Sequence, residues 1–158
     1  MGIMFDASEV FQLAIRIEEN GEKFYRKMAE KFEEPTTKEL FTFLANEEVG
    51  HKKIYQEILS TIEKYTPRES YPGEYFAYLR SYADNIIFSQ KEFDTKLESI
   101  ADVMSALDFA INAEVSSILY YQEVKNIVPE NKHHQIEKIV DEERKHFTML
   151  SELKANSN

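Results

Sequence analysis

This sequence of 158 residues predicts an all-α fold, four helices packed as a bundle with a long crossover between the second and third. Three observations carry that expectation. Only four glycines and four prolines interrupt the chain. Apolar residues recur at steps of three and four, the period of a helix rather than a strand. Capping patterns fall far enough apart to mark off long segments.

The first segment opens on Asp6-x-x-Glu9, a capping box, and is expected to run to about Glu33. Its stripe reads Ala7, Phe11, Ala14, Glu18, Gly21, Tyr25, Met28 and Phe32. Pro35-Thr36-Thr37-Lys38-Glu39 gives a short break with a fresh capping box, and the second helix then runs to about Lys64. Its stripe is Phe41, Leu44, Glu48, His51, Tyr55, Ile58 and Ile62. The stretch from Thr66 to Gly73, with Pro67 and Pro72, ends that helix, and a tyrosine-rich segment follows from Tyr71 to Tyr82. A short helix from about Glu74 to Asn85 would carry the chain across the bundle, so that the third helix starts near Asp102 parallel to the second. The third helix carries Leu107, Ala110, Glu114, Ser117, Tyr121 and Val124 and stops before Pro129. The fourth, from about Asn131 to Lys154, carries Ile136, Ile139, Glu143, His146, Leu150 and Leu153.

The length suits a single domain over residues 1–158 with a core of ordinary size. The sequence contains no cysteine, which excludes disulfides, zinc ribbons, iron–sulfur clusters and thiol catalysis within it, so a bound metal would use nitrogen and oxygen ligands. The first residues lack a basic region followed by an apolar run, and no later stretch approaches the length of a membrane span. A soluble, cytoplasmic protein without a membrane partner is the expectation. A formal charge of −10 argues against a nucleic-acid partner, because phosphate-backbone affinity comes from clustered Lys and Arg.

One pattern occurs twice. A lone Glu on one helix is followed on the next by Glu-x-x-His: Glu18 with Glu48 and His51, then Glu114 with Glu143 and His146. Residues three apart share a helix face, so each pair can offer an oxygen and a nitrogen to one metal, with the lone carboxylates expected to bridge. Four carboxylates and two imidazoles suit two divalent irons, nearly balance their charge and leave positions open for an oxidant; zinc or manganese would also fit. Without a metal, four carboxylates in a bundle core would be expensive, because buried like charges must protonate or be paired. A third Glu-x-x-His, Glu130 with His133, has no counterpart in the other half and is read as incidental, with His134 as a surface residue. Tyr25 and Tyr121 lie two turns beyond Glu18 and Glu114, where their hydroxyls can bond a ligand carboxylate or act as redox neighbours, or serve as packing. Glu19, Glu22, Glu47 and Glu142 adjoin the proposed ligands and are read as solvated acids or as acids that support a ligand from behind, with Glu22, one turn beyond Glu18, as the exception closest to a ligand. Gly21 and Ser117 hold equivalent positions one turn beyond the lone acids, where small size opens space beside the metals or permits close helix packing.

With these residues the sequence resembles the ferritin-like di-iron carboxylate proteins, and within them the rubrerythrin-like branch, without a rubredoxin domain. The resemblance spans all four helices. It implies a ferritin-like four-helix bundle with Glu18, Glu48, His51, Glu114, Glu143 and His146 around two iron ions. It further implies oxidation of Fe(II) with reduction of hydrogen peroxide or dioxygen, a role in oxidative stress, and a homodimer. Rubrerythrins pass electrons through a cysteine-rich rubredoxin domain. In this cysteine-free chain the electrons are expected from a separate donor, rubredoxin-like or a flavoprotein. Rubrerythrins also carry a further carboxylate one turn after the third-helix Glu, where this chain has Ser117. Two other readings stay open at this point: an iron-binding or storage protein without dedicated turnover, and a metal-free helical interaction module.

Overall fold

A computed structural model describes residues 7–62, 77–79, 81–82, 90–126 and 128–157. Among them are five α-helices: α1 (Ala7–Lys31), α2 (Pro35–Ile62), α3 (Gln90–Ser99), α4 (Val103–Lys125) and α5 (His133–Asn156). A single 3-10 turn, Glu130–Lys132, precedes α5. No strand occurs among the described residues, so the all-α reading holds. None of the described helices is long and apolar enough to cross a membrane.

Helix boundaries follow local chemistry. Asp102 is the N-cap of α4, with extended backbone and a carboxylate that accepts from the Ser105 amide at 2.7 Å. At α2 the expected Thr36 capping box is replaced by another device. Glu34 accepts from the Thr36 and Thr37 amides at 3.0 and 2.8 Å, and Pro35 takes the first helical position. Proline fits there because its missing N–H would be unpaired anyway. The Thr37 hydroxyl adds a third bond to Glu34 at 2.7 Å, and together these bonds hold the Glu34 carboxyl below its ordinary pKa. The expected cap at Asp6 and the expected end of the second helix at Lys64 lie outside the described residues.

Side-chain pairings fix the helix directions. Phe11 lies against Tyr55 while Arg26 reaches Asn46, so α1 and α2 run antiparallel. Lys125 meets Glu137 and Lys154 meets Asp108, so α4 and α5 do likewise. Tyr25 reaches Glu114 and Tyr121 reaches Glu18, which makes α1 and α4 antiparallel too. It follows that α2 and α4 are parallel, the arrangement that requires a long crossover. Of the crossover helix expected over about 74–85, residues 77–79 and 81–82 are described and helical, with Leu79 fully buried.

The crossover also contains α3, for which the sequence reading had no helix. Its sequence, QKEFDTKLES, is mostly polar, with only two apolar positions. Phe93 and Leu97, followed by Ile100, nonetheless sit one turn apart and are buried against Phe24, Leu107 and their neighbours. Tertiary packing stabilises what periodicity left weak.

Two apolar clusters fill the bundle. One contains Val10, Phe11, Tyr55, Tyr120, Tyr121, Ile136 and Ile139. The other contains Phe24, Tyr25, Phe41, Leu44, Leu107 and Leu150. Between them lies a polar layer. Ala7 and Ile62 aside, whose side chains lie outside the described ones, the predicted stripes are buried almost throughout, with Gly21, Phe32 and Leu153 only partly covered.

If α3 is held by its apolar edge, truncating Leu97, 3 % exposed, should cost about 2–5 kcal/mol of stability. The exposed neighbour Glu98 should tolerate alanine within about 0.5 kcal/mol. Urea unfolding of the metal-free L97A and E98A variants checks this, and a silent L97A would detach α3 from the core.

Candidate metal centre

The polar layer is built by four helices. Glu18 projects from α1, Glu48 and His51 from α2, Glu114 from α4, and Glu143 and His146 from α5, and none is more than 5 % exposed. Such burial is rare for Glu unless a partner compensates the charge. The structure thus brings together all six residues that the repeated pattern singles out. Ligand atoms of Glu18, Glu48, His51 and Glu143 lie within 4.8 Å of one another, and so do those of Glu48, Glu114, Glu143 and His146. Two sets sharing two carboxylates form the donor arrangement of a binuclear metal site.

The sharing corrects one expectation. Glu48 and Glu143, from the Glu-x-x-His pairs, are common to both sets, whereas Glu18 and Glu114 each belong to one. The lone acids therefore flank the centre and the paired acids occupy its middle. Spacing of three places a Glu and a His on one helix face but does not say which lies nearer the middle of the bundle.

The orientation of donor atoms tests whether cations fit. Oε2 of Glu18, Nδ1 of His51, Oε2 of Glu114, Oε1 of Glu143 and Nδ1 of His146 are all buried without a hydrogen-bond partner. His51 Nδ1 lies 2.7 Å from Glu143 Oε1 yet forms no hydrogen bond with it. Donor atoms that converge so closely without hydrogen-bond geometry suit a cation, and leaving them unpaired would be costly. The opposite nitrogen of His51, Nε2, is 2.6 Å from Glu142 Oε2. With Nε2–H donating to Glu142, Nδ1 is the nitrogen that would give up its proton and turn to a metal. His146 is turned the same way, but its Nε2 is 4.0 Å from Glu47. The imidazoles stack, with centroids 5.8 Å apart and planes 21° apart.

Two tyrosines close the layer in a crossed arrangement. Tyr25 donates to Glu114 Oε1 and Tyr121 to Glu18 Oε1, each at 2.6 Å. Each tyrosine thus serves the lone acid of the other half, not the one on its own helix. Each bond occupies one oxygen and leaves Oε2 free. Tyr55, whose ring centroid is 5.0 Å from that of Tyr121, has a buried hydroxyl without a partner among the described residues. Gly21 faces Glu48: a Cβ there would come within 2.8 Å of its Oε2. Glycine is what lets this carboxylate lie against α1.

Electrostatics matches the geometry. Burial, then the neighbouring carboxylates, pushes Glu48 and Glu114 well above the ordinary Glu range. Burial alone would raise Glu143 too, but the adjoining Glu114 carboxyl and the charge of the His51 and His146 imidazoles hold it low. Burial alone would lower His51, yet Glu143 and Glu18 raise it to about 11. For His146 burial wins and the pKa falls, since its nearest carboxylates stand at 3.8–4.0 Å. Burial and nearby carboxylates also raise Tyr25, Tyr55 and Tyr121, keeping the phenols protonated.

Other candidates fall outside the centre. The ring of His133 meets the Val128 carbonyl at 3.1 Å, and His134 is exposed, so the third Glu-x-x-His takes no part. Glu22 pairs with Arg26, and Glu19 with Lys52. Of the two roles the sequence left open for Glu142, solvated acid or support for a ligand, the structure gives it the second, at Nε2 of His51. Nothing in the sequence marked the partnerless hydroxyl of Tyr55.

The rubrerythrin family model matches residues 9–154. A solved structure from Thermotoga maritima, described as that of a candidate ferritin-like diiron-carboxylate protein, is 25% identical, covers all of both chains and superposes with a TM-score of 0.71. No curated protein matches the chain significantly.

The pKa shifts predict how metal-free stability varies with pH. Glu48, Glu114 and His51 bind protons more tightly folded than unfolded. Their contribution is present below their unfolded pKa values and is lost as pH rises toward the folded ones. Glu143 and His146, shifted the other way, have nearly finished titrating by about pH 7.5, and the tyrosines begin only near about pH 10. Between about pH 7.5 and 8.5 the metal-free Tm should therefore fall, with His51 as the main cause. The rise in Tm on adding Fe(II) under argon should grow across the same window, because the ions take deprotonated ligands. Calorimetry at both ends checks it; a flat metal-free profile would contradict these assignments.

Proposed function

This chain belongs to the rubrerythrin family, and we propose on that premise that it is a di-iron oxidoreductase, oxidising Fe(II) with reduction of hydrogen peroxide or dioxygen. The observation that carries the proposal is the convergence of partnerless donor atoms from four helices on two ligand sets that share Glu48 and Glu143. Glu18 and His51 complete one set, Glu114 and His146 the other. Oxygen and imidazole donors of intermediate hardness suit Fe(II). Iron, when bound, supplies the electrons that reduce the oxidant.

The chain's own residues supply geometry and proton control. Tyr25 and Tyr121 orient the lone acids through their Oε1 atoms. Glu142 holds the proton on Nε2 of His51 and, being partly exposed, links that nitrogen to solvent. The apolar clusters on either side of the layer lower the dielectric around it, which strengthens its charge interactions. Tyr25 and Tyr121 act as positioning residues. Electrons that restore Fe(II) come from a separate donor, as no cysteine in this sequence holds an iron–sulfur or rubredoxin-type centre.

Stopped-flow absorbance after mixing the Fe(II)-loaded protein with peroxide, and separately with dioxygen, tests the reading. Ferric absorbance should rise in a single turnover with the wild type and be lost in H51A and E143A while both remain helical. Y25F and Y121F should still bind iron but react about tenfold more slowly, from loss of one hydrogen bond to a charged ligand. Wild-type rates in either H51A or E143A would refute it.

A further inference from the structure

A cavity of about 620 Å³ lies between α1, α3 and α4. Its inner end reaches Glu48, Glu114 and Tyr25, so it opens directly onto the metal layer. A water occupies about 30 Å³ in the liquid, so this space greatly exceeds what peroxide or dioxygen needs. It falls within the range of about 300–1,000 Å³ typical of sites for organic ligands.

The doorway is kept open by two small residues. Gly21 has no side chain, and Ser117 turns its hydroxyl back onto the Ala113 carbonyl at 2.9 Å. Ser117 stands where the family resemblance leads one to expect a carboxylate. Beyond the doorway the walls are aromatic and apolar. Phe24 and Phe109 lie with centroids 4.8 Å apart, and Phe93, brought in by α3, faces the same space. The rim is polar. Asp108 on it is already matched by Lys154 at 2.6 Å. Lys96 is the one cationic side chain among the described lining residues, and it makes no ion pair with another described residue.

We propose that this cavity binds an organic carboxylate with an aryl body, its carboxylate at Lys96 and its apolar end directed past Phe24 and Phe109 toward the metal centre. The inference deepens the di-iron reading and rests on it for the identity of that centre. Aromatic walls favour an aryl body through edge and offset contacts. The lysine at the rim favours an anion, and the desolvation cost of moving a carboxylate past the aromatic walls keeps it there, which fixes the orientation.

The probe is 3-phenylpropanoate, with 3-phenylpropan-1-ol as its uncharged counterpart, titrated calorimetrically into metal-free and Fe(II)-loaded protein. Wild type should bind one 3-phenylpropanoate per chain saturably. N112W, a bulky change at an exposed lining position, should weaken both probes at least tenfold. K96E should weaken the carboxylate at least fivefold and leave the alcohol unchanged. Iron per chain is counted in the same samples and should stay the same in all three proteins. Absence of saturable binding to wild type, or equal binding by all three proteins, would overturn the proposal. Iron failing to load would overturn the di-iron reading instead, since the metal-free titration reports on the cavity independently.

Discussion

Four carboxylates and two imidazoles share one buried layer at the middle of this bundle, and the rest of the structure answers to that constraint. Removing a carboxylate from water is costly unless charge and hydrogen bonds are returned to it. The protein returns only part. The tyrosine hydroxyls satisfy one oxygen each on Glu18 and Glu114, Glu142 satisfies the outer nitrogen of His51, and protonation relieves Glu48 and Glu114. Five inward donor atoms are left without partners. Two shared cations would complete this arrangement where more hydrogen bonds would not, because the remaining donor atoms face one another.

The two halves supply this layer symmetrically but not equally. Crossed bonds from Tyr25 and Tyr121 tie α1 to α4 and hold each lone acid from the opposite half. The histidines differ: His51 is gripped by Glu142 and Glu143, while His146 is held more loosely. The loose ring belongs to the set containing Glu114, and the cavity opens at Glu48 and Glu114. The cavity thus approaches the centre from the face lined by α3 and α4. Tyr55, Tyr120 and Tyr121 are buried in the apolar cluster beside Glu18.

Much of this was legible in the sequence because helical periodicity projects directly onto burial. The stripes through Glu18, Glu48, His51, Glu114, Glu143 and His146 were readable, and all six residues are buried together. What escaped has physical reasons. Which carboxylates lie between the two ligand sets depends on how far each helix projects into the layer, so Glu48 and Glu143, rather than Glu18 and Glu114, stand where the two sets meet. The partner of Tyr25 depends on an antiparallel neighbour, not on the helix that carries it. Helix α3 has too few apolar residues to announce itself and exists by packing. The Glu34 cap was missed because Thr36 offered a more familiar pattern two residues later. The cavity is a property of three helices at once, and only its small doorway residues, Gly21 and Ser117, were noticed in the sequence.

The central claim is that two ions share Glu48 and Glu143. A crystal of the Fe(II)-loaded protein, measured on both sides of the iron absorption edge, addresses it most directly. The account predicts two anomalous peaks per chain, each within coordination distance of both Glu48 and Glu143, with His51 beside one and His146 beside the other. No peak, a single peak, or a pair bridged by Glu18 and Glu114 would contradict it.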